Sequence, residues 1–232
     1  MKADTPSVIP LKLGPVNSFL VRGKEKTVIV DTGYLGNSDR IISYLGKNSI
    51  DPGSISLIVI THGHNDHYGS AGELRNKTGA PVAMHKTDAD YLAKGINCIG
   101  RPYGLIAKIF KSLVIRTDEF ISKPFDADIF FENELDLEPY GIKGKIIHTP
   151  GHTDGSCSLI VPEEFAIIGD LLMGGFLFNK SMRYPLFVND ESQLVDSIRK
   201  IIQTSPKMIY TAHGGPFTAS EVEGFLLNQK IQ

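Results

Sequence analysis

Residues 55–67 read ISLIVITHGHNDH, and no other stretch constrains the fold as tightly. The apolar run has the length of a strand, and a strand with so little polar alternation must be covered on both faces. Its character then changes within a residue or two. Three of the chain's seven histidines, with an aspartate among them, fall between positions 62 and 67. Such a cluster is either a polar loop of chance composition or a metal site at the C-terminal edge of a buried strand, and the rest of the chain must decide.

Upstream, SVIPLKL, NSFLVRG and TVIVDTG are short β-rich runs, the last two joined by the turn-like GKEK, and antiparallel pairing is the economical reading. The segment DRIISYLGKN predicts a helix with Asp39 as its N-cap and Ile41, Ile42 and Leu45 on one face. Beyond the histidines, SAGELRNKTGA predicts a helix stopped by Gly79, PVAMH a strand and KTDADYLAKG a second helix. Residues 128–147 return to β. Then GSCSLIV and FAIIGD read as strands, DESQLVDSIRKII as an amphipathic helix, KMIYTAH as a strand and TASEVEGFLL as a capped helix. Two β-then-α halves emerge. An α/β domain over residues 1–232, with two mixed sheets packed together and helices on the outside, satisfies them.

The chain has 232 residues, 41% of them hydrophobic and 22% charged, enough for one well-filled core. A formal charge of -2 and a pI near 6.4 lack the basic field that nucleic-acid binding requires, so no polynucleotide partner is expected. The start lacks the charged and apolar pattern of a signal peptide, and no apolar run is long enough to span a membrane. The expectation is a soluble cytoplasmic protein. Cys98 and Cys157 are too few for a disulfide framework and lie in no CxxC pair, so both are read as buried reduced thiols.

In extended chain, residues two apart point the same way, so His62, His64 and Asp66 can converge. His67 joins them only if the chain turns into a helix there, which suggests two centres rather than one. Imidazole and carboxylate donors suit zinc, iron or manganese, and paired centres are what two-metal hydrolases use. Further ligand types appear just after other predicted strands: His148 and His152 in KIIHTPGHTDGS, Asp170 in AIIGD and His213 in IYTAHGG.

VNSFLV, VIVDTG, THGHNDHYGS, HTPGHTDGS, IIGDLL and TAHGG, in that order, closely resemble the signature of metallo-β-lactamase-fold hydrolases. The resemblance implies an αββα sandwich. It implies that His62, His64 and His152 hold a first metal, that Asp66, His67 and His213 hold a second, and that Asp170 bridges them with a hydroxide nucleophile. Asp66 and Asp170 are then the catalytic carboxylates, Asp66 with a further role in orienting the hydroxide or shuttling a proton. Two divalent ions are expected, zinc first, with iron or manganese as alternatives, and no other cofactor. The same resemblance selects His152 over His148, to which it leaves a structural or supporting role, and matches His85 to no ligand position. Asp31 is expected to make the turn with Gly33 and lend the ligands some support.

Two departures stand out: DHYGS has Ser70 where the family commonly has a second glycine, and Asp170 replaces the cysteine ligand of true zinc β-lactamases. Antibiotic hydrolysis is therefore not expected. Only residues 214–232 follow His213, which leaves no room for the C-terminal helical domain of glyoxalase II. The tyrosine that related lactonases place after the bridging aspartate is missing from GDLLMGGFLF, although Tyr184 lies further on. The expectation is a hydrolase acting on an ester, thioester or lactone of a small molecule. A mononuclear iron enzyme resembling persulfide dioxygenases and a non-catalytic metal-binding module are the alternatives. Residues 98–120 are a candidate helical insertion; within 101–117, Leu105, Ile106, Ile109, Phe110 and Leu113 form an apolar face suited to a cap, a homodimer contact or core packing. Phe176, Phe178 and Tyr184 are candidate pocket residues.

Overall fold

The computed structural model describes residues 5–98, 100–104, 122–175 and 181–229. The first sheet contains β1 (Ser7–Lys12), β2 (Asn17–Arg22), β3 (Thr27–Val30), β4 (Ile55–Ile60), β5 (Val82–His85) and β6 (Ile129–Phe131), side by side in that order. The pairs β1–β2 and β2–β3 are antiparallel, as GKEK implied, and β3–β4, β4–β5 and β5–β6 are parallel. Parallel neighbours need crossovers. These carry α1 (Ser38–Lys47) before β4 and α2 (Asn65–Tyr68) and α3 (Ala71–Thr78) before β5, with α4 (Ala89–Lys94) after β5.

The second sheet contains β7 (Glu134–Asp136), β8 (Lys145–His148), β9 (Cys157–Val161), β10 (Phe165–Ile167), β11 (Met208–Tyr210) and β12 (Phe217–Thr218). All its pairs are antiparallel except β10–β11, whose crossover contains α5 (Glu191–Ile202); α6 (Ala219–Gln229) follows β12. Both sheets are mixed, as expected.

The apolar run in β4 now has its explanation. Leu57 and Val59 face Leu159, Val161 and Ile167 of the other sheet in the central core, while Ile58 and Ile60 pack in a second core with Ile41 and Leu45 of α1 and Leu74 of α3. A third core joins Ile160, Ala166 and Ile209 to Leu194, Ile198 and Ile201 of α5 and Val222 of α6. Helices, sheet, sheet and helices make four layers. Among the described residues no helix is long and apolar enough to cross a membrane.

Local signals succeed at some helix ends and fail at one. Gly79 ends α3 in the left-handed conformation, at φ 75°, as predicted. Asp39 does not cap α1: it lies in the first turn, paired with Lys77, and Asn37 occupies the cap position without a side-chain cap bond. The capping oxygen comes from across the fold. Ser70 Oγ accepts from Asn37 N at 2.8 Å and Ser38 N at 3.2 Å and donates to the Tyr34 carbonyl at 2.6 Å. A glycine there, which the resemblance favoured, would supply none of these bonds. Ser70→Ala is expected to cost about 1–2 kcal/mol, the range for a lost cap with buried polar groups left behind, read as a lower urea midpoint at unchanged slope.

Residues 105–117 of the expected cap, with Phe176 and Phe178, lie outside the described residues. Tyr184 is described and is not shown in the expected pocket: its ring packs edge-on against Phe225 of α6, centroids 5.1 Å apart, in the third core.

Candidate metal centre

The strands that end at the rim between the two sheets deliver the polar cluster. After β4 the chain bends at His62 and Gly63, is extended at His64, φ -89° and ψ 142°, then coils into α2. That change from extended to helical backbone lets His67 face the same cavity as its neighbours. His152 follows β8, Asp170 follows β10 and His213 follows β11. Gly151, at φ 132°, permits the turn before His152, and a Cβ there would lie 2.3 Å from Leu194 N. Gly169, at φ 53°, lets the chain pass Thr61 before Asp170, with a Cβ excluded at 2.8 Å from its Oγ1.

All seven expected residues converge, in two groups. His62, His64, His152 and Asp170 bring one donor atom each within 4.8 Å of one another, and Asp66, His67 and His213 do the same. His152 Nε2 lies 3.2 Å from both His62 Nε2 and His64 Nδ1. Asp170 borders both groups: Oδ1 is 3.6 Å from His67 Nε2, and Oδ2 is 3.8 Å from His152 Nε2 and 3.5 Å from His213 Nε2. Asp66 Oδ2 lies 3.3 Å from His213 Nε2.

The outward nitrogens are anchored. His67 Nδ1 meets Asp31 Oδ2 at 2.8 Å, His152 Nδ1 meets the Phe187 carbonyl at 2.7 Å, and His213 Nδ1 meets the Pro15 carbonyl at 2.8 Å. An Nδ1–H engaged in this way leaves the Nε2 lone pair directed inward, the tautomer a metal ligand needs. Spacing supports the same conclusion. Tetrahedral coordination with metal–nitrogen bonds of about 2.0–2.1 Å places ligand nitrogens about 3.3 Å apart, close to the 3.2 Å separations here. His67 Nε2 and Asp170 Oδ1 are buried without any hydrogen-bond partner. Stranded polar atoms at this depth are costly unless something charged joins them. The donor set fits a divalent cation.

Electrostatics divide the cluster. Burial, with help from His152, pushes His64 down to about 3, and burial and the neighbouring imidazoles also hold His62 well below its ordinary pKa. Burial opposes charge on His67 and His213 as well, but there the carboxylates win. Asp31, Asp66 and Asp170 hold His67 well above its usual value, and Asp170 and Asp66 raise His213. Against the cost of its own burial, Asp66 is brought down to about 2 by His67 and His213, and Asp170 is held well below the carboxylate range by His213, His67 and His152. The carboxylates demand positive charge, and the imidazoles of the first group resist supplying it as protons.

The other histidines lie outside both groups. His85 Nε2 meets the Glu132 carbonyl at 2.6 Å, His148 Nε2 meets the Asp154 carbonyl at 2.8 Å, and the rings stack with centroids 4.0 Å apart. Cys98 and Cys157 are buried free thiols.

Two residues near the cluster escaped the sequence reading. Asp88 bonds to both loops of the first group, and its signal was present: an acidic residue just past a strand, where the ligand-type residues also occur. Tyr34, 38% exposed, has its phenol pushed up to about 12 by burial and by the charges of Asp66 and Asp170, within whose electrostatic reach it lies.

Comparison with known proteins agrees with this geometry. The family model described as the metallo-beta-lactamase superfamily matches residues 11–213. The probable metallo-hydrolase YqgX of Bacillus subtilis is 28% identical over 209 residues, covering 88% of each chain. Hydroxyacylglutathione hydrolase GloC of Haemophilus influenzae is 26% identical, covering 91% of each. Among solved structures, the BLEG-1 B3 metallo-beta-lactamase superposes with a TM-score of 0.69 at 25% identity, over 93% of this chain and 95% of that one.

Proposed function

The chain belongs to the metallo-beta-lactamase superfamily, and from that premise we propose that it is a hydrolase using two divalent cations to cleave an ester, thioester or lactone of a small molecule. The observation that carries this reading is Asp170, a single carboxylate bordering both groups of donors. His62, His64 and His152 hold one cation, Asp66, His67 and His213 the other, and Asp170 both. Zinc is the first choice for such nitrogen and oxygen donors, and iron or manganese suits them as well. When bound, the pair supplies an acidified water as nucleophile and polarises the substrate carbonyl.

The chain's own part is orientation and proton handling. Anchored Nδ1 atoms fix the rings of His67, His152 and His213, so they need no reorganisation as charge develops. Asp66 is the more open aspartate, its side chain 14% exposed against 5% for Asp170, and is the better placed to take a proton released at the cluster. Tyr34, partly exposed and protonated at neutral pH, offers a hydrogen-bond donor within electrostatic reach of the cluster. Hydroxyacylglutathione hydrolase GloC aligns with this chain over 91% of its own length, which keeps glutathione thioesters among the candidate substrates.

The test is metal analysis of protein purified without chelators, followed by turnover on a panel of esters, thioesters, lactones and phosphodiesters. The expected result is two metal equivalents per chain and hydrolysis of a carbonyl substrate that chelation abolishes. No metal at the cluster would overturn the reading, as would one iron with oxygen uptake on glutathione persulfide. Metal should also stabilise the fold. At about 100-fold over Kd it contributes about 2.7 kcal/mol; at about 2–4 °C per kcal/mol in a chain of this size, reloading should raise Tm by about 5–10 °C.

A further inference from the structure

Asp88 follows β5 at the start of α4, is 1% exposed and belongs to neither donor group. Its Oδ2 accepts from Gly63 N at 2.9 Å and Thr153 Oγ1 at 2.7 Å, and its Oδ1 accepts from Gly155 N at 2.9 Å. Gly63 lies between His62 and His64, and Thr153 follows His152. One carboxylate therefore ties together the two loops that supply the imidazoles of the first group. The approach is close enough that a Cβ on Gly155 would fall 2.5 Å from Asp88 Cγ.

We propose that Asp88 is a positioning residue that sets cation affinity at the His62, His64 and His152 group and leaves the Asp66, His67 and His213 group unaffected; this rests on the two-cation reading above. The second group has separate supports: Asp31 holds His67, and the Pro15 carbonyl holds His213. No described hydrogen bond of Asp88 reaches those residues. Two backbone N–H groups, one on each oxygen, and one hydroxyl surround Asp88, so a carboxylate satisfies them all and an amide cannot accept from both N–H groups. In Asp88→Asn the NH2 group must face either Gly155 N–H or Gly63 N–H, and one loop is driven outward. Supports behind metal ligands are typically worth 10–100-fold in affinity.

The test uses single-group backgrounds of the full chain, His213→Ala to leave the first group and His152→Ala to leave the second. Cobalt(II) affinity is read by its visible absorption under competition with a chelator, and circular dichroism checks the fold. Asp88→Asn should weaken cobalt about 10–100-fold in the His213→Ala background and leave the His152→Ala background within about 2-fold. Thr153→Val, which removes one of the three bonds and spares the carboxylate, should give a smaller loss in the same background only.

Equal weakening in both backgrounds would make Asp88 a general scaffold residue and overturn the inference. No weakening in either would do the same. If Asp88→Asn does not fold, Thr153→Val decides, and unchanged affinity there overturns the inference. Absence of cobalt binding in both parent backgrounds would instead bring down the two-cation reading, an outcome visible before any Asp88 variant is compared.

Discussion

Asp170→Asn is expected to lower turnover by at least about 10–100-fold, the loss typical of even a support behind a metal ligand, and to lower the melting temperature of the metal-free protein as well. The second effect comes from the same neighbours. Oδ1 is 3.6 Å from His67 Nε2, and Oδ2 stands 3.5–3.8 Å from two further imidazoles. Against the cost of burial, these imidazoles hold the carboxyl well below its ordinary range, so in the metal-free protein the ionised side chain stabilises the fold at neutral pH and neutralising it removes that attraction. With cations present the same charge is needed by both groups. An amide can offer one weak oxygen but cannot serve both, so the variant should also lose most of the Tm gain on metal loading. Steady-state kinetics and paired melts with and without metal check the prediction. Turnover within about 10-fold of the parent enzyme would remove Asp170 from the chemistry.

The second large effect is expected at Asp31. Its carboxylate accepts from Thr61 N and Thr61 Oγ1, each at 2.8 Å, and meets His67 Nδ1 at 2.8 Å, all fully buried. Its backbone is left-handed, φ 58°, a conformation aspartate tolerates better than most residues. Asp31→Ala strands every one of these donors and should cost about 3–5 kcal/mol, as breaking buried charged pairs does, measured as a lower urea midpoint. Asp31→Asn keeps the shape and separates stability from chemistry. With the amide oxygen retained by Thr61 N, its NH2 must point at His67, whose Nδ1 then accepts and whose Nε2 carries the proton inward. A protonated Nε2 cannot ligate. Cation affinity at the Asp66, His67 and His213 group should fall about 10–100-fold while the fold persists. Unchanged affinity in the asparagine variant would show that Asp31 supports the strand end alone.

Much of the fold was legible because periodicity is local. The unbroken run in β4 announced a strand covered on both faces, and the two cores that Leu57 and Ile58 enter on opposite sides are that covering. The turn from strand to helix needed to bring His67 beside His62 and His64 could be inferred from spacing, and α2 supplies it. Capping of α1 was not legible. Asp39 had the right chemistry at the right distance from the helix, but Ser70 took the role from across the fold. The position of Asp88 just past a strand was visible, but its partners were not, since Gly63 and Gly155 look like loop glycines until the carboxylate between them is seen.

By itself, then, the amino-acid order determined which chemical groups stand at the ends of which strands, because side-chain type and two-residue alternation are properties of neighbours along the chain. Tertiary structure decided which of those groups meet. His148 and His152 belong to the same short segment, yet one stacks on His85 with its Nε2 held by the Asp154 carbonyl, and the other turns inward against Phe187. That choice, the sharing of Asp170 between two groups, and the separate supports at Asp31 and Asp88 arise only when two sheets pack and bring distant strand ends to one rim. Contacts between residues far apart in sequence depend on how whole layers seat on each other, and no local pattern encodes them.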